Sequence, residues 1–271
     1  ASWQETYQYL AKRLTNIKTC HGSDAIAGIS SARCTNEENY LLQKMIRVVL
    51  GTNNIDCCAR VCHSPTAYGM QHSFGTGAAT NSIADLKDTN FIMLIGANPT
   101  AAHPVTGAKI KQKMMKGVPS IVIDPRKIEL AKYATYHLQL KPGTNVALLN
   151  MMLYYIIAEG VEDNEFISGR TEGYEEMKAE ILKLDMDQLA DETGVDKDLV
   201  REAALAYAGS NAAMEFHGLG VTEHLQGTFT VQLIADLANT STEQEESTEE
   251  VRSLEFSPGG NTLATSGYKV N

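Results

Sequence analysis

The chain has 271 residues, 43% of them hydrophobic and 21% charged, which is ordinary globular composition and excludes a disordered chain, a collagen-like chain and a disulfide-stapled miniprotein. Its formal charge is −10, from 23 basic and 33 acidic side chains, with no basic stripe of the kind that marks a nucleic-acid binder. No apolar run reaches the ~18 residues of a membrane span, no signal-peptide pattern opens the chain, and the expected compartment is the cytoplasm.

The first residue is Ala1 rather than Met, which fits a piece of a longer product. Ser2 and Glu5 form a capping box and open a helix with an apolar stripe at Tyr7, Leu10, Leu14 and Ile17, ended by Gly22. Ala25 to Ser30 reads as a short buried strand. Thr35 and Glu38 form a second capping box, opening a helix that Gly51 stops.

Residues 52–82 are rich in Asn, Cys, His, Ser and Gly and show no period, apart from a short helix near Pro65 to His72. Such a long loop in a compact domain is usually functional, or hides elements that the sequence does not reveal. From residue 91 an alternating pattern begins. Phe91–Ile95, Ser120–Ile123, His137–Leu140 and Ala212–Phe216 read as buried strands. Between and after them come helices at His103–Lys116, Lys127–Ala134 and Val146–Ala158, a Glu- and Lys-rich helical hairpin to Gly209, and a helix at Thr228–Leu237.

The expected fold is α/β: a doubly wound, mostly parallel sheet flanked by helices, Rossmann-like, with a partial neighbouring α/β segment at the N-terminus. The expected domains are 1–52 for that partial neighbour, 53–238 for the Rossmann-like domain and 239–271 for an acidic linker and tail. Its acidic run, Glu243 to Glu250, reads as solvated, and residues 251–268 read as a terminal extension with a faint likeness to one strand pair of a WD-repeat blade.

In doubly wound sheets ligands bind beyond the carboxyl ends of the strands. Here those ends are Gly96-Ala-Asn-Pro99, Asp124-Pro-Arg126, Lys141-Pro-Gly-Thr-Asn145 and Gly218-Leu-Gly-Val-Thr222. Glycines admit a ligand to the backbone, a helix start after Thr144 suits phosphate, Asp124 suits a ribose diol or a guanine edge, and Arg126 suits phosphate. Together they point to a nucleotide-containing ligand. Neither G-x-G-x-x-G nor G-x-x-x-x-G-K-[ST] occurs, so simple NAD and ATP readings lose support.

The five cysteines, Cys20, Cys34, Cys57, Cys58 and Cys62, form no disulfide framework by number or context. Adjacent Cys57 and Cys58 suit a tetrahedral zinc ion poorly, and no four-Cys iron–sulfur run is present. A reactive Cys62 beside His63 fits better, with Cys57 and Cys58 as small buried residues and Arg60 helping to keep a nearby thiol ionised. His21, His72, His137, His217 and His224 read as structural, and His103 lies beside a ligand loop.

The stretches Cys34-Thr-Asn-Glu-Glu-Asn39, Gly51-Thr-Asn-Asn-Ile-Asp-Cys-Cys-Ala-Arg-Val-Cys-His63, Gly96-Ala-Asn-Pro99, Asp124-Pro-Arg-Lys127, Arg170-Thr-Glu-Gly173 and Gly218-Leu-Gly-Val-Thr222 give the chain a specific resemblance. Over about residues 1–238 it resembles the catalytic subunit of molybdenum- or tungsten-dependent formate dehydrogenases, in the dimethyl-sulfoxide-reductase superfamily. The resemblance implies that Cys62 ligates the metal and that His63 handles a proton or positions substrate. It implies that Gly96, Asn98, Asp124, Arg126, Gly143, Asn145, Gly218, Gly220 and Thr222 lie in loops holding one molybdopterin guanine dinucleotide of a bis-dinucleotide cofactor. The implied reaction is reversible oxidation of formate to CO2, with electrons passing to Mo or W.

The family's 4Fe-4S segment and its Gly-Gln-Asn-Asn motif do not occur here, so the chain resembles a central fragment, inactive alone. Its expected partners are formate or CO2, the remainder of the catalytic subunit and electron-transfer subunits, with no nucleic acid and no membrane span. Two other readings stand beside this one: a catalytically silent guanine-dinucleotide-binding module, and a superfamily relative acting on another substrate.

Overall fold

The structure is a computed structural model and describes residues 1–241, 254–256 and 263–265. The expected acidic run at Glu243–Glu250 lies outside the described residues. The chain divides into two compact units, residues 1–64 and 65–271.

In the first unit, helix α1 (Trp3–His21) starts at the expected capping box, with Glu5 N donating to Ser2 Oγ and the Glu5 carboxylate accepting from Ser2 N. Strand β1 (Gly28–Ser30) follows, shorter than expected, because Ser23–Ala25 forms a 3-10 turn instead. Helix α2 (Asn36–Lys44) begins at the Thr35–Glu38 capping box and continues as a π-helical turn, Met45–Leu50. Gly51 ends it in the left-handed conformation, φ 79°. Strand β2 (Ile55–Cys57) pairs in parallel with β1. Ile26, Ile46 and Leu50 form the core, with Leu14, Ile17, Leu42 and Ile55 against it.

The Cys-rich stretch therefore groups with this first unit, and the division falls later than the 52/53 boundary read from sequence. The physical reason is the β1–β2 pairing, which draws residues 55–57 to the N-terminal segment. Helix α3 (Ala59–Cys62) closes the unit.

The second unit opens with α4 (Ser64–Phe74) and is built on β3 (Phe91–Ile95), β4 (Ser120–Ile123), β5 (Tyr136–Leu138) and β6 (Ala213–His217). These four strands form one sheet in the order β5-β4-β3-β6, and every neighbouring pair is parallel. The doubly wound α/β fold is thus as expected.

Successive side chains of β3 go to opposite faces. Phe91, Met93 and Ile95 join the core built with α7 (Asn145–Ala158) and α11 (Lys197–Ala208). Ile92 and Leu94 join the core holding Ile110 and Met114 of α6 (Pro104–Met115), which follows the short α5 (Pro99–Ala102). Both faces are covered, which is why β3 and β4 read as unbroken apolar runs. Helix α7 is buried on nearly every side, and its length of apolar sequence made it legible.

Three expectations change. The hairpin before Gly209 is four short helices, α8 (Asn164–Arg170), α9 (Tyr174–Ile181), α10 (Met186–Thr193) and α11, because Asp163, Asp185 and Asp196 each cap a new start. The helix expected at 127–134 is a single 3-10 turn, Glu129–Lys132. After α12 (Leu219–Thr222), helix α13 runs Gly227–Ser241, so residues 239–241 are helical rather than linker. In the tail, β7 (Leu254–Phe256) and β8 (Leu263–Thr265) pair antiparallel. Among the described residues, no helix is long and apolar enough to cross a membrane.

Candidate functional site

The order β5-β4-β3-β6 contains a switch point. From β3 the chain moves outward through β4 and β5, then returns to place β6 on the other side of β3. The loops after β3 and β6 leave in opposite directions, and a ligand crevice belongs between such loops. Those loops carry Gly96 and Gly218–Thr222.

They touch backbone to backbone. Gly218 N donates to Ile95 O at 3.2 Å and Gly220 N donates to Gly96 O at 3.0 Å. Gly96 has φ 56°, and a Cβ there would stand 2.6 Å from the Gly220 carbonyl carbon. A Cβ on Gly220 would stand 2.7 Å from Gly96 Cα, and one on Gly218 would stand 2.9 Å from Gly96 O. Side chains at any of these three positions would push the loops apart.

Asn145 opens α7 and is buried, and its Nδ2 donates to Gly220 O at 3.1 Å. Thr222 is buried as well. Asn145 therefore tethers the Gly218–Thr222 loop to the start of α7, and Thr222 turns inward at the end of that loop rather than lining its outer surface. Replacing Asn145 by Ala is expected to cost the second unit about 1 kcal/mol by removing that bond between α7 and the loop. Urea unfolding checks it, and an unchanged midpoint would show the loop needs no such tether.

Beyond β4, Asp124 is 4% exposed although it is a carboxylate. Its Oδ1 accepts from Arg126 N at 2.7 Å, and the Arg126 Nε stands 3.7 Å away with its side chain largely in solvent. Its backbone oxygen lies 3.1 Å from His137 Nε2, which gives His137 the structural task expected of it. Asn98 caps α5, with Thr100 Oγ1 donating to its Oδ1 at 3.0 Å. Gly143 has φ 89° with open space where a Cβ would go, and Thr144 caps α7 while its hydroxyl donates to Lys141 O. His103 is exposed at the start of α6.

Sequence reasoning passed over one acidic group here. Glu215 lies on β6 in register with Met93, accepts a hydrogen bond from the Tyr207 hydroxyl, and is pushed up to about 7 by burial. The signal was a lone Glu between apolar neighbours in a strand. His217, two residues on, stands 3.4 Å from Thr66 Oγ1 through its Nε2.

In the first unit Cys62 ends α3, half-buried, and the exposed His63 caps it. Cys57 and Cys58 are also half-buried rather than buried, so the reading of them as small core residues is corrected. They lie on a two-stranded sheet edge and a one-turn helix, too little structure to enclose them. The Cys58 sulfur accepts from Ala32 N at 3.2 Å and lies 3.9 Å from Ser31 Oγ. The Ala32 amide, helped by Ser31 and by the Cys62 thiol, holds Cys58 below the ordinary thiol range. That effect was expected from Arg60. It comes instead from a backbone N–H on the loop after β1, which no local spacing could reveal. Among the described residues, no group of three or more His, Cys, Asp or Glu side chains could hold a metal ion.

A parallel sheet with a switch point, three mutually packed glycines there, and a buried carboxylate beside an exposed guanidinium at the next strand end define a doubly wound α/β protein. The molybdopterin oxidoreductase model matches residues 1–270, so the chain belongs to the molybdopterin oxidoreductase family. It is 42% identical over 238 residues to formate dehydrogenase H of Escherichia coli, covering 88% of this chain and 33% of that one. It is 44% identical over 237 residues to the F420-dependent formate dehydrogenase subunit alpha of Methanocaldococcus jannaschii, covering 88% and 34%. Acetylene hydratase from Pelobacter acetylenicus superposes with a TM-score of 0.68 at 25% identity, covering 89% of this chain and 33% of that chain. The chain thus spans about a third of the length of these relatives.

Proposed function

We propose that this chain is a central portion of the catalytic subunit of a formate dehydrogenase that oxidises formate to CO2. The second unit holds one molybdopterin guanine dinucleotide, and the first supplies Cys62 as the single protein ligand to Mo or W. The observation that carries the reading is the close glycine-to-glycine packing of the strand-end loops at the β3–β6 switch point, where such sheets bind their ligands. The cofactor fits it chemically. Gly96, Gly218 and Gly220 let the two strand-end loops pack closely where a phosphate-bearing chain would cross, and the Asp124 carboxylate, fixed by the Arg126 amide, suits a guanine edge or ribose diol. The exposed Arg126 guanidinium suits phosphate.

When bound, the cofactor supplies the metal centre that takes two electrons from formate. The chain's residues do the rest. Asn145 tethers the loop that Thr222 ends, Gly143 leaves room at a neighbouring strand end, Asn98 stands at the end of β3, Cys62 presents a sulfur, and His63 next to it takes up the proton. The second dinucleotide, a 4Fe-4S cluster and electron-transfer subunits belong to parts outside these residues. Exposed Ile29, Leu41, Val48 and Val49 in the first unit support its packing against further chain. A second reading, a relative acting on a different substrate, is favoured by the acetylene hydratase match.

The test uses the longer subunit containing this sequence. Cys62→Ala is expected to lose bound Mo or W by elemental analysis while keeping its circular dichroism, and Asp124→Ala to lose guanine dinucleotide on gel filtration. Metal content in Cys62→Ala equal to wild type would sink the ligand assignment. Formate-independent dye reduction would favour the second reading.

A further inference from the structure

We propose that Cys58 and Cys62 form a reversible thiol-modification site, closing to an intramolecular disulfide under hydroperoxide and so keeping the Cys62 sulfur from irreversible oxidation. The link to metal rests on the function proposed above, whereas the chemistry of the thiol pair does not.

The geometry is local. Cys58 stands at the start of α3 with helical dihedrals, and Cys62 N donates to Cys58 O at 3.0 Å, which fixes the two residues one helical turn apart. That separation sets their Cα atoms about 6 Å apart, within disulfide reach, while their Cβ atoms at this helical spacing stand about 5–6 Å apart, so closing the bond requires the four-residue α3 to unwind locally. At one helical turn apart the two side chains lie on the same face of α3. The Cys58 sulfur is anchored by Ala32 N at 3.2 Å, so one partner is held while the other approaches. Both side chains are half-buried, open enough for a small peroxide. Neighbouring Cys57 belongs to β2, paired to β1, and its backbone N is held by Asp56 Oδ1 at 2.8 Å.

The step balances with one hydroperoxide. A first sulfur attacks the O–O bond and becomes a sulfenic acid, releasing water or an alcohol. The second sulfur then attacks the sulfenic sulfur, forming the S–S bond and releasing water. Two thiols are oxidised and one peroxide is reduced. Either sulfur can react first, since its partner stands one helical turn away. With metal in place Cys62 is occupied and the bond cannot form, so the disulfide belongs to the metal-free chain and must be reduced before metal enters.

The 271-residue chain is treated with excess hydrogen peroxide, alkylated and digested with trypsin. Cleavage after Arg60 separates the two cysteines, so a disulfide appears as a linked pair of peptides, residues 48–60 and 61–87. Wild type and Cys57→Ser are expected to give the linked pair in most molecules, and dithiothreitol to release it. Cys58→Ser is expected to lose the link at least tenfold and to accumulate sulfinic acid at Cys62. A link that persists in Cys58→Ser and vanishes in Cys57→Ser would overturn the assignment. So would a wild-type chain whose Cys62 over-oxidises without linking. The link in Cys57→Ser shows that this segment folds with a serine substitution. Because no metal or formate is involved, failure here leaves the function proposal standing, and a chain that links but never binds metal in the longer subunit fails that proposal alone.

Discussion

Gly96→Ala is expected to cost the second unit more than about 3 kcal/mol, whereas Gly143→Ala costs about 1 kcal/mol. Both glycines have positive φ, 56° and 89°, so both substitutions carry the left-handed strain of an L side chain. Only one meets a neighbour. At Gly143 nothing lies within 4 Å of the added carbon, while at Gly96 the Gly220 backbone stands at 2.6 Å. Backbone cannot turn aside as a side chain does, so the two loops must separate, and the bond from Gly220 N to Gly96 O goes with them. Gly220→Ala isolates the steric part, because it meets Gly96 Cα at 2.7 Å without a positive φ of its own. It is expected to fall between the other two. The comparison is read from urea midpoints of the three variants. Equal costs for Gly96→Ala and Gly143→Ala would mean that the close approach at the switch point does not exist, and the crevice argument would go with it.

That contact shows where sequence stops informing. The strands β3 and β4 were legible to the residue, because a strand buried on both faces has no choice but an apolar run, and Gly96 and Asp124 end those runs. The capping boxes at Ser2 and Thr35 were legible because their partners are three residues apart. So were four strand ends with glycine, Asp or Asn on them. What no spacing conveyed is that β6 returns beside β3, which alone brings Gly96 against Gly220 and lets Asn145 reach the Gly220 carbonyl. The Cys-rich segment failed for a related reason. Ile55–Cys57 is three residues long, too short for a period, and becomes a strand only through its pairing with Gly28–Ser30, far back in the chain. Once that pairing exists, Cys58 is carried to Ala32 N, and its thiol acquires a partner that Arg60 had been expected to supply.

Glu215→Gln is expected to stabilise the protein at pH 8 and to leave it nearly unchanged at pH 4. Glu215 sits on β6 against the face that holds Phe91 and Tyr207, and burial lifts its carboxyl from 4.5 to about 7, against the opposing pull of the Tyr207 hydroxyl. A raised folded value means that the folded chain keeps a proton which the unfolded chain has already released. Below pH 4.5 both states are protonated and the group costs nothing. As pH rises from 4.5 through about 7, the folded state must either hold the proton against solution or bury a charge, and stability falls; above that window the loss is complete. Its full size is up to about 3 kcal/mol, at 1.36 kcal/mol for each unit. Gln cannot ionise, and its amide oxygen still accepts from Tyr207, so the hydrogen bond survives while the pH dependence disappears. Asp236 is likewise buried and pushed upward, and its contribution has the same sign, but it is common to both proteins and cancels in their difference. Urea unfolding at pH 4, 5.5 and 8 gives the three differences directly. A difference that stays constant across that range would place the Glu215 carboxylate in water, ionised throughout, and would remove it from the interior of the sheet.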